Sequence, residues 1–247
     1  MIIRQLGLAI AVTGLLGAVV ILLMGIPDPW AQFQQATCLS TETGCFCEAF
    51  RSSCVRQPVN SLTSLAFVFV GIVAFDKKRP WLNLLAASMV VTGIGSTYYH
   101  MSMTFWGQYI DVAGMHMIAL LIVLFSFRGT PKIKSRFKLI YIIAFSCVAF
   151  LLYVAPETRR FLFAFLTVVG LVLEFLFAPN RRTASSYRYL ICAIITMATG
   201  FIVWILDNNH TLCSPESIFQ GHGFWHIAGA VSAFLLWKHY QLSDAGE

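Results

Sequence analysis

The sequence predicts an all-α integral membrane protein, a seven-transmembrane-helix bundle preceded by an additional N-terminal hydrophobic helix. Three observations lead there. Hydrophobic residues fill 58% of the 247 positions and charged residues only 11%, far from the roughly 25% charge of a soluble domain, and the mean hydropathy is +0.74. Apolar runs recur at about 20 residues, the length a helix needs to cross a hydrocarbon core. Basic residues collect in alternate loops, which is the positive-inside bias of membrane proteins. This composition excludes a disordered tail, a coiled coil and a secreted disulfide knot, and it argues against a nucleic-acid partner despite the net charge of +6.

The first apolar run, Leu6 to Ile26, follows Arg4. It reads as a retained membrane anchor over residues 1–26, with a signal peptide as the alternative. The stretch is longer than the roughly 7 to 15 residues usual in a signal peptide, and no small-x-small cleavage site follows it. Residues 27–57 then form a cysteine-containing extracytoplasmic segment. Seven further runs make the core over 58–240: Pro58 to Phe75, Trp81 to Met103, Tyr109 to Phe127, Phe137 to Val154, Phe161 to Ala178, Tyr187 to Leu206 and His222 to Tyr240. Gly129, Pro131, Pro156 and Pro179 fall at joints, where helix ends need them. Membrane strands would alternate apolar and polar residues, whereas these runs are apolar all round.

Short loops make successive helices antiparallel, so one loop fixes the side of all the others. With the N-terminus inside, the inner face collects Arg4, Lys77, Lys78, Arg79, Arg128, Lys132, Lys134, Arg136, Lys138, Arg181, Arg182, Arg188 and Lys238. Only Arg51, Arg56, Arg159 and Arg160 fall outside. Both termini, including the tail 241–247, are therefore expected in the cytoplasm. Cys38, Cys45, Cys47, Cys54 and Cys213 lie in outer segments, and Cys147 and Cys192 within helices. Five outer cysteines point to an oxidising compartment with one or two disulfides whose pairing stays open. Zinc at Cys45-x-Cys47 is the rival reading, but that spacing fits no common zinc-finger pattern.

Ionisable groups in membrane helices are costly and therefore functional candidates. His100 lies at the outer end of its run, Asp111 at the outer start of the next, and His222 with His226 at the outer start of the last. All four fall at one depth. His222 and His226 are four residues apart and share a helix face, as do Ser96 and His100. A lone His-x-x-x-His more often reflects packing, but a third imidazole at the same level makes an open three-histidine metal site, the arrangement of catalytic zinc. Asp111 is then placed to carry a proton and Ser96 to donate to an oxyanion. Their bland alternatives are a helix-dipole carboxylate and a serine bonded to its own helix.

Other polar groups carry less. His116, five residues past Asp111, points to another side as a buried, hydrogen-bonded residue; His210 sits in an outer loop and His239 at the inner end. Glu174 snorkels or pairs with Arg181, and Asp207 with Asn208 and Asn209 closes a run as a polar loop. The stripe Asn60, Ser61, Thr63 and Ser64 reads as capping and interhelical hydrogen bonding ahead of substrate contact.

Taken together, Gly95-Ser96-Thr97-Tyr98-Tyr99-His100, Gln108-Tyr109-Ile110-Asp111, Trp204-Ile205-Leu206-Asp207 and Gly221-His222-Gly223-Phe224-Trp225-His226 resemble the alkaline ceramidases of the CREST superfamily of seven-helix membrane hydrolases. Pro58-Val59-Asn60-Ser61-Leu62-Thr63-Ser64 resembles the polar start of that family's first core helix, and the resemblance covers roughly residues 45 to 240. It implies a zinc-dependent amidase that cleaves the N-acyl bond of ceramide or a related membrane lipid. His100, His222 and His226 match the zinc ligands, Ser96 and Asp111 the residues that assist the chemistry, and Cys47 with Cys213 a disulfide. Two departures stand out. An extra span precedes the core, and the family's calcium-binding stretch is reduced to Cys47-Glu48, which argues against calcium.

An ester-cleaving, phospholipase-like sibling is the alternative, because three histidines do not separate amide from ester. A receptor of the progestin and adipoQ type would carry the opposite orientation. No convincing internal repeat supports a transporter, and no soluble protein partner is evident.

Overall fold

In the computed structural model, residues 2–40, 45–177 and 183–243 are described. Among them stand eight α-helices: α1 (Ile2–Leu23), α2 (Pro58–Val73), α3 (Asn83–Ser102), α4 (Phe105–Phe125), α5 (Pro131–Val154), α6 (Arg159–Phe177), α7 (Ala184–Asn208) and α8 (Gly221–Ser243). Each overlaps one expected apolar run. Pro179, Arg181, Arg182 and residues 244–247 of the tail lie outside the described residues.

Helix starts follow local chemistry more closely than hydropathy. Proline opens α2 and α5, where its missing N–H costs nothing. Thr104 and Thr183 cap α4 and α7 by accepting from the backbone N–H of Gly107 and Ser186. The Thr104 cap starts α4 four residues ahead of the apolar run, which puts Asp111 two turns inside the helix. Just before it, Met103 ends α3 in the left-handed region at φ 49° and turns the chain sharply.

Five helices, α1, α4, α5, α6 and α7, are long and apolar enough to cross a membrane. α2 is apolar but only 16 residues long, and the polar residues of α2, α3 and α8 have a spatial reason: these helices fill the centre of the bundle. Asn60, Ser64, Ser88, Thr92, Ser96, His100, His222, His226 and Ser232 are all buried there. By contrast only 11% of the apolar window of α5, and the same share of α6, is buried, so their hydrophobic surface faces outward. α1 packs on α2, α5 and α6 on α4, and α7 on α8. α6 and α7 scarcely touch along their described lengths, which leaves a cleft between them.

Small residues bring the central helices together. A Cβ on Gly93 would lie 2.7 Å from the Val68 backbone nitrogen, and one on Gly71 2.7 Å from the Ala86 carbonyl oxygen. The α2 and α3 backbones are thus in direct contact, the close approach that small residues permit between membrane helices.

Residues 27–40 and 45–57 form a cover stitched to the turn between α3 and α4. Ala36 N donates to Met103 O, Phe105 N to Gln34 O, Arg56 N to Met101 O and Gln57 N to His100 O. Arg56 also pairs with Asp28 at 2.9 Å. Two disulfides tighten this cover, Cys38–Cys45 and Cys47–Cys213, so the Cys45-x-Cys47 pair is consumed in disulfides and is no metal site. Cys54, Cys147 and Cys192 are free.

At the opposite end of the bundle, Glu174 pairs with Arg128 at 2.9 Å and with His239 at 3.0 Å. The pairing with Arg181 read from the sequence lies outside the described residues.

Candidate metal centre and its cavity

His100 at the end of α3, and His222 and His226 one turn apart at the start of α8, bring three ring nitrogens within 4.8 Å of one another. His100 Nε2 and His222 Nε2 are 3.2 Å apart. All three rings are buried, at no more than 6% exposure.

Two of the rings are held in a defined tautomer from behind. Gln57, wholly buried, donates through Nε2 to the Glu48 carbonyl oxygen at 3.0 Å, which turns its Oε1 toward His100 Nδ1 at 2.8 Å. The amide oxygen can only accept, so His100 carries its proton on Nδ1 and presents the Nε2 lone pair. His226 Nδ1 lies 3.1 Å from Thr63 Oγ1 and 3.3 Å from Ser64 Oγ. The Thr63 proton goes to the Val59 carbonyl at 2.8 Å, so the hydroxyl oxygen accepts from the imidazole, and again Nε2 is left as a lone pair.

His222 is positioned by other means. Its backbone N–H donates to Asp207 Oδ1 at 3.1 Å, while Asp207 Oδ2 accepts from Cys47 N at 3.2 Å. A Cβ on Gly221 would meet the Asp207 Cβ at 2.8 Å, so glycine is what allows this close contact. The Phe46 ring stacks on the His222 ring with centroids 3.8 Å apart, and the disulfides at Cys45 and Cys47 flank Phe46 on both sides.

The donor set fits a metal ion. Lone pairs forced toward one point repel unless a cation lies between them, and His222 Nδ1 is a buried nitrogen without a hydrogen-bond partner. Zn–N bonds of about 2.0 Å in a tetrahedral arrangement set ligand nitrogens roughly 3.3 Å apart, close to the His100–His222 separation. Imidazole donors suit zinc, although iron or nickel share the preference.

Ser96 and Asp111 border the same space. Ser96 Oγ lies 3.4 Å from His226 Nε2 and 3.0 Å from Ser64 Oγ, which also donates to the Asn60 carbonyl at 2.7 Å. Its hydroxyl also faces the Asp111 carboxylate. Both residues line a cavity of about 380 Å³ whose wall is otherwise mostly apolar, running between α6 and α7 and down to Phe67 and Ala233. His116 lines this cavity too, which corrects its placement on another side. Its Nδ1 bonds the Val112 carbonyl at 2.8 Å, as a buried, hydrogen-bonded histidine should.

Glu48 stands behind the site. Its carboxylate accepts from the N–H groups of Val59 at 2.7 Å and Asn60 at 2.8 Å, capping α2 across eleven residues. Burial pushes the carboxyl above its usual range, and the two backbone donors pull it back in part. Its oxygens serve the helix. Gln57, Glu48, Phe46 and Asp207 were not singled out as site residues from the sequence. Of the polar stripe, Thr63 and Ser64 make the interhelical contacts expected of it, whereas Ser61 bonds the Gln57 carbonyl and the Asn60 side chain is buried without a partner among the described residues.

Comparison with known proteins adds to this geometry. Residues 41–247 match a family model described as Ceramidase. A Dictyostelium discoideum protein provisionally named alkaline ceramidase dcd3A is 24% identical over 178 residues, 62% of this chain and 61% of that protein. An alkaline ceramidase of Drosophila melanogaster is 22% identical over 199 residues, 74% of this chain and 70% of that protein. The chain thus spans less than two thirds of the first relative's length.

Proposed function

The chain belongs to the ceramidase family, and from that premise we propose that it is a zinc-dependent intramembrane hydrolase that cleaves the N-acyl amide bond of ceramide or a related lipid. The observation that carries the reading is the convergence of His100, His222 and His226 beside Ser96 and Asp111 at the end of an apolar cavity. The family match leaves the receptor reading without support.

Zinc bound to the three histidines would polarise the amide carbonyl and ease deprotonation of the attacking water. Gln57 and Thr63 hold two of the imidazoles with their Nε2 lone pairs inward. Asp111 takes the proton of the attacking water and passes it to the leaving nitrogen as the carbon–nitrogen bond breaks, which yields a fatty acid and an amine. The Ser96 hydroxyl, which faces Asp111, can turn its proton to the oxygen that gains charge. The cavity excludes water from the acyl chain, and the cleft between α6 and α7 lets a lipid enter sideways from the bilayer.

The membrane arrangement belongs to the same proposal. α2 to α8 form the seven-helix core, with residues 1–26 as an anchor and 27–57 as the extracytoplasmic cover. Both termini lie in the cytoplasm and the metal centre toward the periplasmic or lumenal side. Basic loops at one end and the disulfide-linked cover at the other support this orientation.

His222→Ala tests the function, with fatty acid release from ceramide and bound zinc measured on the same preparation. Loss of both is expected. Unchanged activity and metal content would overturn the mechanism, and release from phospholipids in preference to ceramide would move the enzyme to ester chemistry.

A further inference from the structure

Four basic residues fall on the outer side against the usual bias. Arg56 is explained by its ion pair with Asp28. Arg159 and Arg160 are different. They open α6, and both line the cavity that His222 and His226 border. Among the described residues neither is within ion-pair distance of a carboxylate. Neighbouring Glu157 is exposed and pairs with neither.

What holds the two side chains leaves most of their donors unused. Arg159 Nη1 donates to the Pro156 carbonyl at 2.7 Å. The Arg160 guanidinium lies over the Trp204 ring, 5.1 Å from its centroid, with Nη2 3.5 Å from Asn208 Oδ1. Trp204 also lines the cavity, so this cation–π contact fixes Arg160 at its wall. The charge of Arg160 bears unfavourably on Arg159, and an anion held by both removes that cost. Their planar forks match the oxygens of a phosphate in particular.

We propose that Arg159 and Arg160, held beside Trp204 at the outer end of the histidine cavity, form a subsite for an anionic, phosphate-type headgroup carried by the lipid substrate. The inference rests on the hydrolase reading and extends it. A lipid whose amide reaches the histidines and whose acyl chain runs toward Phe67 and Ala233 has its polar head at the outer end of α6. An uncharged ceramide headgroup would leave the guanidinium pair uncompensated.

The test uses the full-length, metal-loaded protein in phosphatidylcholine nanodiscs with two substrates of one acyl chain, an N-acyl sphingoid base with and without a phosphate on its primary hydroxyl. The phosphorylated substrate is expected to show kcat/KM about tenfold higher or more. In Arg159→Gln/Arg160→Gln the ratio should fall to near one, and the double Lys variant, which keeps charge but loses the fork, should lie between. Equal rates in the unmodified protein, or a preference that survives the double Gln variant, would overturn the proposal.

A binding measurement with analogues in which a secondary amine replaces the amide separates the two readings. Arginine-dependent, tighter binding of the phosphorylated analogue without turnover of either substrate would leave the subsite standing and remove the hydrolase. Equal binding of both analogues would remove the subsite. Inorganic phosphate that competes as well as the phosphorylated lipid would make this a free-anion site instead. Loss of the preference in nanodiscs containing phosphatidylglycerol would assign the arginines to the bulk bilayer.

Discussion

Replacing Gln57 with Leu should weaken metal binding about 10- to 100-fold while the bundle stays folded. Leu fills a similar volume but removes the only acceptor facing His100 Nδ1 among the described residues. In the metal-free protein the ring then gains by moving its proton to Nε2, where His222 Nε2 at 3.2 Å can accept it. Metal binding must reverse that shift and leave a buried N–H without a partner, which costs about 1 to 3 kcal/mol. At 1.4 kcal/mol per decade this is about 5- to 150-fold, in line with the roughly 10- to 100-fold seen when second-layer partners of metal ligands are removed. The assay is zinc competition against a chromophoric chelator in detergent, with thermal unfolding of the metal-free protein as the check on folding. Gln57→Glu keeps an acceptor and should restore most of the affinity. Thr63→Val should cost less than Gln57→Leu, because Ser64 Oγ, 3.3 Å from His226 Nδ1, remains to accept. Equal affinities for the unmodified protein and Gln57→Leu, or a larger loss in Thr63→Val, would refute the reasoning.

Other perturbations separate chemistry from scaffold. Asp111→Asn keeps the shape but cannot take a proton, so activity should fall by about 10²- to 10⁴-fold with zinc content unchanged by metal analysis. Cys213→Ser opens the Cys47–Cys213 bridge across a sequence separation of 166 residues and should cost about 2 to 5 kcal/mol, read as an earlier thermal transition. At the end of the bundle opposite the histidines, Glu174→Ala breaks the buried ion pair with Arg128, a loss of about 3 to 5 kcal/mol visible in the same assay. Asp76, in the loop after α2, gives a pH signature. Burial pushes its carboxyl up, but donors on Gln241, the Lys78 backbone and Arg79 outweigh this and hold it below the usual carboxylate range. Its stabilisation is therefore complete above the unfolded value of 3.8 and lost as pH falls through the depressed value. Melting curves of Asp76→Asn and the unmodified protein should converge in that acidic window and separate at neutral pH.

The helices were legible because membrane crossing imposes a length and a composition that no soluble helix needs. All eight sit where apolar runs stand, although hydropathy alone would have kept only five. α2 is apolar but, at 16 residues, too short for that test, and α3 and α8 are too polar for it because they line the interior, where serines, threonines and histidines bond one another instead of lipid. Reading their Gly, Ser and His content as a failed membrane span would have discarded the helices that carry the site. Helix ends were less legible, since a cap such as Thr104 acts through one hydrogen bond and leaves no mark on an average over twenty residues.

The site itself divides the same way. His222 and His226 could be paired from the sequence because one helix turn fixes their geometry, and His100 and Asp111 joined them through topology. Their supports arise from contacts that sequence distance hides: Gln57 meets His100 across 43 positions, and Thr63 meets His226 across 163. Asp207 had the look of a loop residue, yet it caps α8 from the end of α7 and ties Cys47 to the same carboxylate. That contact depends on Gly221 lacking a side chain, so the Asp and the Gly make one device split by thirteen residues of loop. A three-histidine pattern alone would be equally compatible with a loose cluster. The backing hydrogen bonds of Gln57 and Thr63 are what turn two of those rings into lone pairs aimed at one point, and this makes the cluster fit to hold a cation.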